Sequence, residues 1–358
     1  NEFFLARDHY GIKPLYYFKD TQKFIFSSQV KSLIECDYIV KDVSPAAACS
    51  FLINGSVMEP FTMYKNVYAL DSGTYIKIKD NKLFKSKYYN LAEHILQVKS
   101  DLNNKSYFDI NLSDSLNNSI KRHLVSDVPI VLFLSSGIDS TSILNSISNV
   151  SKKKINTITM GFDVYKNTNL DEVTQAKIIK KNYKTNSNFT YRDRDAFFKI
   201  KDDILNSMDQ PSIDGINTYM VSNLAKTLGF KVAISGIGGD ELFSGYPTFK
   251  HVPRMKKIYD KTFFSESFSK LYKKYTTNFF DLLNLKKLSY FYEFSNSYMG
   301  AYTLRRSLFM PDELYSFLPS KFINDGLEEF NQKLIDESNL LAIDDDISKV
   351  IYLEFNNY

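Results

Sequence analysis

Hydrophobic and polar positions change rhythm twice along this chain. In the first stretch the apolar runs are short. Phe3 to Ala6, Pro14 to Phe18 and Lys23 to Ser27 are separated by the polar turns Asp8 to Lys13 and Lys19 to Gln22, which predicts three brief strands. Thr74 to Lys79 sets Tyr75, Ile76 and Ile78 against lysines, turns at Asp80-Asn81 and continues into Leu83 to Tyr89, the pattern of a hairpin. Between them Ser44-Pro45 opens a short helix through Leu52, with serine at the N-cap and proline at the first helical position. Asn54-Gly55 ends it.

Residues 96–106 are polar and predict a linker between a β-rich part, 1–95, and a second domain, 107–358. Leu112, Leu116, Ile120 and Leu124 then recur at helical spacing, and Pro129 to Leu134 is a continuous apolar run, the mark of a buried strand. A helix (Ser140 to Ile147), a strand (Ile155 to Met160), a helix (Asp171 to Tyr183) and a strand-like stretch near Phe189 follow. A helix (Ile216 to Leu228) and the strand Lys231 to Ser235 complete the series. Strand and helix in alternation predict an α/β fold with a parallel, doubly wound sheet. Beyond Gly245 the pattern is helical and aromatic, Lys-rich from Lys250 to Lys287 and acidic from Asp312 to Asp346, which reads as solvated helix faces.

Composition narrows the classes. Of 358 residues, 44% are hydrophobic and 24% charged, values of a globular chain. The 29 Phe and 25 Tyr show no regular spacing that would mark a base-stacking surface, and a net charge of +4 gives no mandate for a nucleic-acid partner. Cys36 and Cys49 form neither a CxxC nor a zinc spacing and read as free thiols. His9, His94, His123 and His251 are scattered, which favours surface or core roles over a metal. No run approaches the roughly eighteen apolar residues of a membrane span, and no leader opens the chain, so the expectation is a cytoplasmic protein without a membrane partner. A start at Asn1 inside a strand-like run, and an end at Tyr358 within the periodic Val350, Ile351, Leu353 and Phe355, predict a piece of a longer protein.

Candidate chemistry lies in two loops. In Leu134-Ser135-Ser136-Gly137-Ile138-Asp139-Ser140-Thr141 an apolar strand runs into small residues and at once into a helix. Free backbone N–H groups and the positive helix end then point at one place, a cradle suited to phosphate. Ser135, Ser136 and Ser140 add hydroxyls, and Asp139, which a phosphate would repel, suits Mg²⁺ held against phosphate oxygens. The plainer reading of this string is a turn with a helix cap. The second loop, Ser235-Gly236-Ile237-Gly238-Gly239-Asp240-Glu241-Leu242-Phe243-Ser244-Gly245-Tyr246, again follows a strand and ends in acidic residues at a helix start. In an open parallel sheet both loops would lie at the carboxyl edge, where Asp139 and Asp240 could share one Mg²⁺. A glycine-rich turn ahead of a helix is the plainer reading here.

Taken together, these strings resemble the asparagine synthetases of the PP-loop ATP pyrophosphatase superfamily. Arg7-Asp8-His9-Tyr10-Gly11-Ile12-Lys13-Pro14-Leu15-Tyr16-Tyr17 resembles the late part of their N-terminal glutamine amidotransferase domain. Phe26-Ser27-Ser28 with Lys31-Ser32-Leu33, Ser126-Asp127-Val128-Pro129 and Thr159-Met160-Gly161-Phe162 fit the same order. The resemblance implies that residues 1–95 are the β-rich end of an Ntn-type amidotransferase domain and residues 107–358 a synthetase domain with a helical C-terminal part. It implies ATP as cosubstrate and Mg²⁺ as cofactor. Ser135, Ser136, Gly137, Asp139 and Ser140 would bind pyrophosphate, with Asp139, Asp240 and Ser135 catalytic. Asp139 and Asp240 would be the metal ligands. Leu134, Met160, Ser235 and Gly236 would line the adenosine pocket, Met160 equally well being a core methionine. Asp171-Glu172 matches an acidic pair of the family but also suits a helix start.

The implied reaction adenylates the β-carboxylate of aspartate and amidates it with ammonia from glutamine. All its substrates are small molecules, and a homodimer is compatible with it. Three features depart from the family. Ser136 replaces a glycine, which requires a negative φ. Ile237 stands where Glu or Asp is frequent, and isoleucine cannot act as a base. Residue 1 is Asn rather than the family's N-terminal Cys nucleophile, which the parent protein is expected to carry, and the family's pyrophosphate-binding Lys is expected beyond Tyr358. The alternatives are amidation of another carboxylate, a sugar acid or modified amino acid, and a non-catalytic nucleotide-binding relative. A tRNA-modifying enzyme of the superfamily lacks a basic RNA module here.

Overall fold

Short alternating runs can satisfy their backbone groups only by pairing with one another, and the early part of this chain does so in two small antiparallel sheets. The computed structural model describes residues 2–80, 82–104, 111–262, 265–334 and 337–357. It divides into two compact units, one of Asn1–Asn104, Asp209–Ile213 and Ser244–Tyr358, the other of Lys105–Met208 and Asp214–Phe243. The terminal residues Asn1 and Tyr358, the hairpin residue Asn81 and the end of the expected linker at 105–106 lie outside the described residues.

In the first unit β1 (Glu2–Ala6) joins the hairpin of β5 (Thr74–Lys79) and β6 (Lys82–Lys87) in the order β1-β5-β6. The strands β2 (Tyr16–Lys19), β3 (Phe24–Ser27) and β4 (Val67–Ala69) form a second sheet, β3-β2-β4. Asp80 supplies the positive φ, 49°, that the tight turn needs. The expected helix spans Pro45–Asn54. Ser44 Oγ accepts from the N–H of Ala47, and Gly55 closes it in a left-handed conformation at φ 80°. Helix Ser320–Leu334 packs on that helix through Cys49, Ile53, Ile323 and Phe330, so by packing the helical segment after Ser244 groups with residues 1–104. Both cysteines are free thiols, and burial pushes the Cys49 thiol up to about 11. Residues 96–104, expected as linker, continue the helix Leu91–Asn104.

Arg7 ties this unit together. Only 5% exposed, its guanidinium donates to Glu59 through Nη1 (2.7 Å) and Nη2 (2.9 Å). It donates also to the carbonyls of Leu70, Gly11 and Lys13 at 2.7, 2.7 and 3.0 Å. Beside it the Asp8 carboxylate accepts from the N–H groups of Tyr10, Ile12 and Lys13, and these bonds together with Arg7 hold it below the usual carboxylate range against the opposing effect of burial. The Arg-Asp string is thus the frame of its loop.

The second unit is built on β7 (Ile130–Phe133), β8 (Ile155–Phe162), β9 (Thr185–Arg192) and β10 (Val232–Ile234), all parallel, in the order β10-β7-β8-β9. Helices cover both faces, which is why β7 is apolar at every position. Leu132 and Leu134 point into one core with Ile120, Leu144 and Ile147. Val131 and Phe133 point into the other with Ile158, Leu224 and Ala225. From β7 the chain winds outward to β9 and then returns to place β10 on the other side of β7. That reversal leaves a crevice between two adjacent strand ends. The helix Arg194–Ser207 and strand β4 were not expected from the sequence pattern.

Because Arg7 is buried and donates to three backbone carbonyls as well as to Glu59, Arg7→Ala should cost about 3 kcal/mol or more. Glu59→Gln, at the wetter end of the pair, should cost about 1 kcal/mol or less. Urea unfolding followed by circular dichroism measures both, and equal losses would contradict the assignment of Arg7 as the hub.

Candidate functional site

The first loop leaves the sheet only after Leu134, whose N–H still donates to the Ile158 carbonyl at 2.9 Å and whose carbonyl accepts from Thr159 Oγ1 at 2.7 Å. The Leu134 side chain is buried in the core. Ser135, Ser136 and Gly137 then bridge to the helix Ile138–Val150, with Gly137 as N-cap at φ −70°. The Ser135 and Ser140 hydroxyls lie 2.9 Å apart, and Ser140 Oγ also donates to the Ser135 carbonyl at 3.0 Å. The Gly137 N–H donates to Ser135 Oγ at 3.2 Å. Ser140 is buried, so its hydroxyl braces the turn, whereas Ser136 faces outward. Among the described residues positive φ outside glycine occurs at Asn66, Asp80, Asn167, Ser244 and Asn284. Ser136 therefore stands in ordinary backbone, the condition for a serine at that point.

The second loop is its neighbour across the switch point. Ser235 Oγ accepts from the Ile237 N–H at 3.3 Å, Gly238 takes φ 96°, and a one-turn helix, Gly239–Phe243, begins with Asp240 and Glu241 in its first turn. The two loops meet at Asp139. A Cβ added to Gly236 would sit 3.0 Å from the Ser140 nitrogen and 3.2 Å from Asp139 Cβ. One added to Gly239 would sit 2.4 Å from both Asp139 Cγ and Oδ2, far inside van der Waals contact. Glycine at 236 and 239 lets the loops close; glycine at 238 supplies a backbone conformation that other residues resist.

Electrostatics mark the same point. Burial first, then the charges of Asp240 and Glu241, raise the Asp139 carboxyl above the usual carboxylate range. Among the described residues no group of three His, Cys, Asp or Glu has metal-site geometry, so the acidic donors on hand are these few carboxylates. Ile237 at the apex of the second loop is 84% exposed, and Ile138 at the start of the first helix 85%.

The expected residues divide by what they touch. Asp139, Ser140, Gly236 and Gly239 are in close approach, and Asp240 is near enough to act on the Asp139 charge. Met160 packs on the Leu224 side of the sheet. A groove of about 620 Å³ opens on the other side, from Ser136, Ile138 and Thr141 along the helix to Leu112, Leu116 and Ile179; Met160 does not border it. Asp171 is structural: 2% exposed, it caps its helix through the N–H groups of Val173 and Thr174 and accepts from the hydroxyls of Thr174 and Tyr191. Gly239 was legible only as part of a string. Its contact with Asp139, a hundred residues away, is set by the strand order.

With this geometry in view, comparison with known proteins is informative. The sequence profile of the family described as asparagine synthase matches residues 111–358, and that of a glutamine amidotransferase domain matches residues 1–89. A Methanocaldococcus jannaschii protein, provisionally named a glutamine-hydrolyzing asparagine synthetase, is 29% identical over 71% of this chain and 49% of its own. Glutamine-hydrolyzing asparagine synthetase 1 of Bacillus subtilis is 29% identical over 70% of this chain and 38% of its own. A Penicillium rubens protein named amidase chyE is 25% identical over 68% and 38%. The chain spans about half the length, or less, of these curated relatives. A solved NH3-dependent NAD synthetase of Campylobacter jejuni covers 62% of this chain and 93% of its own at 14% identity and a TM-score of 0.27, a likeness too slight to carry an inference. Among the described residues no helix is long and apolar enough to cross a membrane.

Two outcomes test the junction. Gly239→Ala should leave the sheet folded but swing the Asp139 carboxylate away, weakening the Mg-ATP binding expected from the sequence by roughly tenfold or more, as misplaced ligand supports do; calorimetric titration reads this, and unaltered binding would contradict it. Asp139 has a raised folded-state pKa, so its contribution to stability is full below the unfolded carboxylate pKa and is lost as pH rises through the folded value. Asp139→Asn should therefore melt higher than the parent at neutral pH, with the gain vanishing in acid. A gain independent of pH would show that the charge is not its cause.

Proposed function

The chain belongs to the asparagine synthase family, and on that premise we propose that the protein it comes from uses ATP to activate a carboxylic acid and ammonia to amidate it. The observation that carries this reading is the close approach of the two glycine-bearing turns around Asp139. A ligand held there meets backbone N–H groups and a helix N-terminus from one side and an acidic turn from the other. Ser135, Ser136, Gly137, Asp139 and Ser140 are the residues we assign to the pyrophosphate portion of ATP. The chain around Leu134, Met160, Ser235 and Gly236 is assigned to its adenosine; the Leu134 side chain serves that wall as part of the core behind it.

The residues fit a divalent cation. A carboxyl raised by burial and by neighbouring acids is relieved when a cation binds. Asp139 and Asp240 would hold Mg²⁺, which neutralises phosphate charge when bound. In the reaction an oxygen of the acid attacks the α-phosphorus and pyrophosphate departs. Ammonia then attacks the acyl carbon, and AMP leaves with the bonding pair. The protein's part is positioning and charge neutralisation by oriented N–H donors. Glutamine is the proposed source of ammonia, a reading supported by the amidotransferase profile over residues 1–89. We assign residues 1–95 to the end of that domain and 107–358 to the synthetase, and the location to the cytoplasm.

Aspartate is the first acceptor to consider, given the names of the relatives. A second reading, amidation of a different acid, is favoured by Ile237. Its side chain stands exposed at the loop apex and offers an approaching acid neither charge nor hydrogen bond. That some relatives are named amidases agrees with variety in the reaction.

ATP–pyrophosphate exchange by the full-length protein, run with aspartate and a panel of other acids, isolates the activation step. Exchange with aspartate, cut roughly 100-fold or more by Asp240→Ala, is the expected result. Exchange only with another acid would transfer the assignment to the second reading. Mg-dependent ATP binding without exchange for any acid would leave a nucleotide-binding relative.

A further inference from the structure

The helix Thr248–Asp260, in the first unit, carries basic residues in two different settings. Lys256 is paired with Asp260 at 2.5 Å and Lys257 with Asp346 at 2.7 Å. Lys250, His251 and Arg254 have no carboxylate partner among the described residues. Lys250 and Arg254 are four apart and His251 and Arg254 three apart, so they share one helix surface. All three are exposed.

Arg305, at the end of the helix Tyr298–Arg306, joins this surface in an unusual way. Its Nε–H donates to His251 Nδ1 at 3.0 Å, a bond that uses the ring's lone pair and holds the guanidinium in place without a counter-charge. Its two terminal amino groups have no bonding partner among the described residues. Lys287 lies close: burial, and after it the charge of Arg305, keeps its ammonium below the usual lysine range. Its Nζ donates to the Ser307 carbonyl. Glu313, whose charge also acts on it, is committed elsewhere. One carboxylate oxygen is bound by Lys286 Nζ at 2.5 Å and the other by the Met310 N–H at 2.7 Å.

Cations gathered without carboxylates repel one another, and a bound anion removes that cost. The guanidinium fork, free at both terminal nitrogens and fixed at Nε, matches two oxygens of a tetrahedral oxyanion. Positive charge from Lys287 beside the fork, and from Lys250 and Arg254 on the helix that carries its His251 partner, is answered better by a multiply charged phosphate than by a single carboxylate. We propose that Lys250, Arg254 and Arg305, with His251 positioning Arg305, form a binding site for a phosphate-type oxyanion within the first unit. Nothing in this assignment depends on the reaction proposed above.

Isothermal titration calorimetry of the chain carrying Asp139→Asn and Asp240→Asn, without divalent cations and at constant ionic strength, tests it with inorganic phosphate and pyrophosphate. Both anions should bind. Arg305→Ala and Arg254→Ala should each weaken binding about tenfold or more, while Lys257→Ala leaves it unchanged. His251→Ala should weaken it and His251→Asn, which keeps an acceptor for Arg305, should recover part of the loss. Circular dichroism checks that each variant is folded, and Arg305→Lys, retaining charge without the fork, should fall between the parent and Arg305→Ala. Absence of binding, full affinity in Arg305→Ala, or equal heats from potassium chloride at matched ionic strength would overturn the site.

Discussion

The second unit depends on one close approach: the backbone of Gly236 and Gly239 lying against Asp139, with no room for a side chain between. That contact joins two turns that follow parallel neighbours, β7 and β10, and parallel neighbours send both of their following turns to the same edge. Were β10 on the outer side of β9 the same glycines would face nothing. The chemistry of the edge is therefore a consequence of strand order, and strand order is held by the double core around β7, with Leu132 and Leu134 on one face and Val131 and Phe133 on the other.

The contact has an electrostatic cost that the fold retains. Asp139 is partly withdrawn from water and sits beside Asp240 and Glu241, an arrangement that favours its protonated form. A core free of function would not gather carboxylates at a helix start. On the proposed reading that arrangement is relieved when a cation, or a phosphate accompanied by one, binds beside Asp139. The serine hydroxyls play a different part from the one their chemistry suggests. Ser135 and Ser140 bond to each other and to the loop backbone, the Gly137 N–H included, so they hold the curve of the cradle while Ser136 remains outward.

Much of the fold was legible where local signals carry it. Ser44, Pro45 and Gly55 mark the ends of one helix by capping alone, and the unbroken apolar run before Ser135 announces a strand buried on both faces. Other elements exist through partners that no local pattern reveals. Strand β4 has three residues and forms because β2 offers an edge. The polar stretch 96–106 was taken for a linker, yet its Leu96, Gln97 and Lys99 are good helix formers, and composition alone hid that up to Asn104 it continues the helix from Leu91. At the candidate site the strings identified both loops, but the division of labour within them came from three-dimensional contacts: the core position of Leu134, the bracing by Ser140, the capping by Asp171. Arg7 shows the same limit. Its motif was plain, and its five bonds to residues up to 63 positions away were not.

Ile237 marks where local reasoning about the site reaches its end. The glycines around it set how closely the two turns pack, but its own side chain takes no part in that packing and stands almost wholly in solvent. A residue so placed is under no constraint from the core, so its identity is free to follow what approaches the loop. An acidic residue there would add one more negative charge to a place already holding Asp139, Asp240 and Glu241, raising the Asp139 carboxyl further. Isoleucine avoids that repulsion and withdraws a hydrogen-bonding group at the same time. On the proposed reading the acceptor would then be oriented by contacts other than the loop apex, and its identity set by the walls of the site rather than by the turns assigned to phosphate.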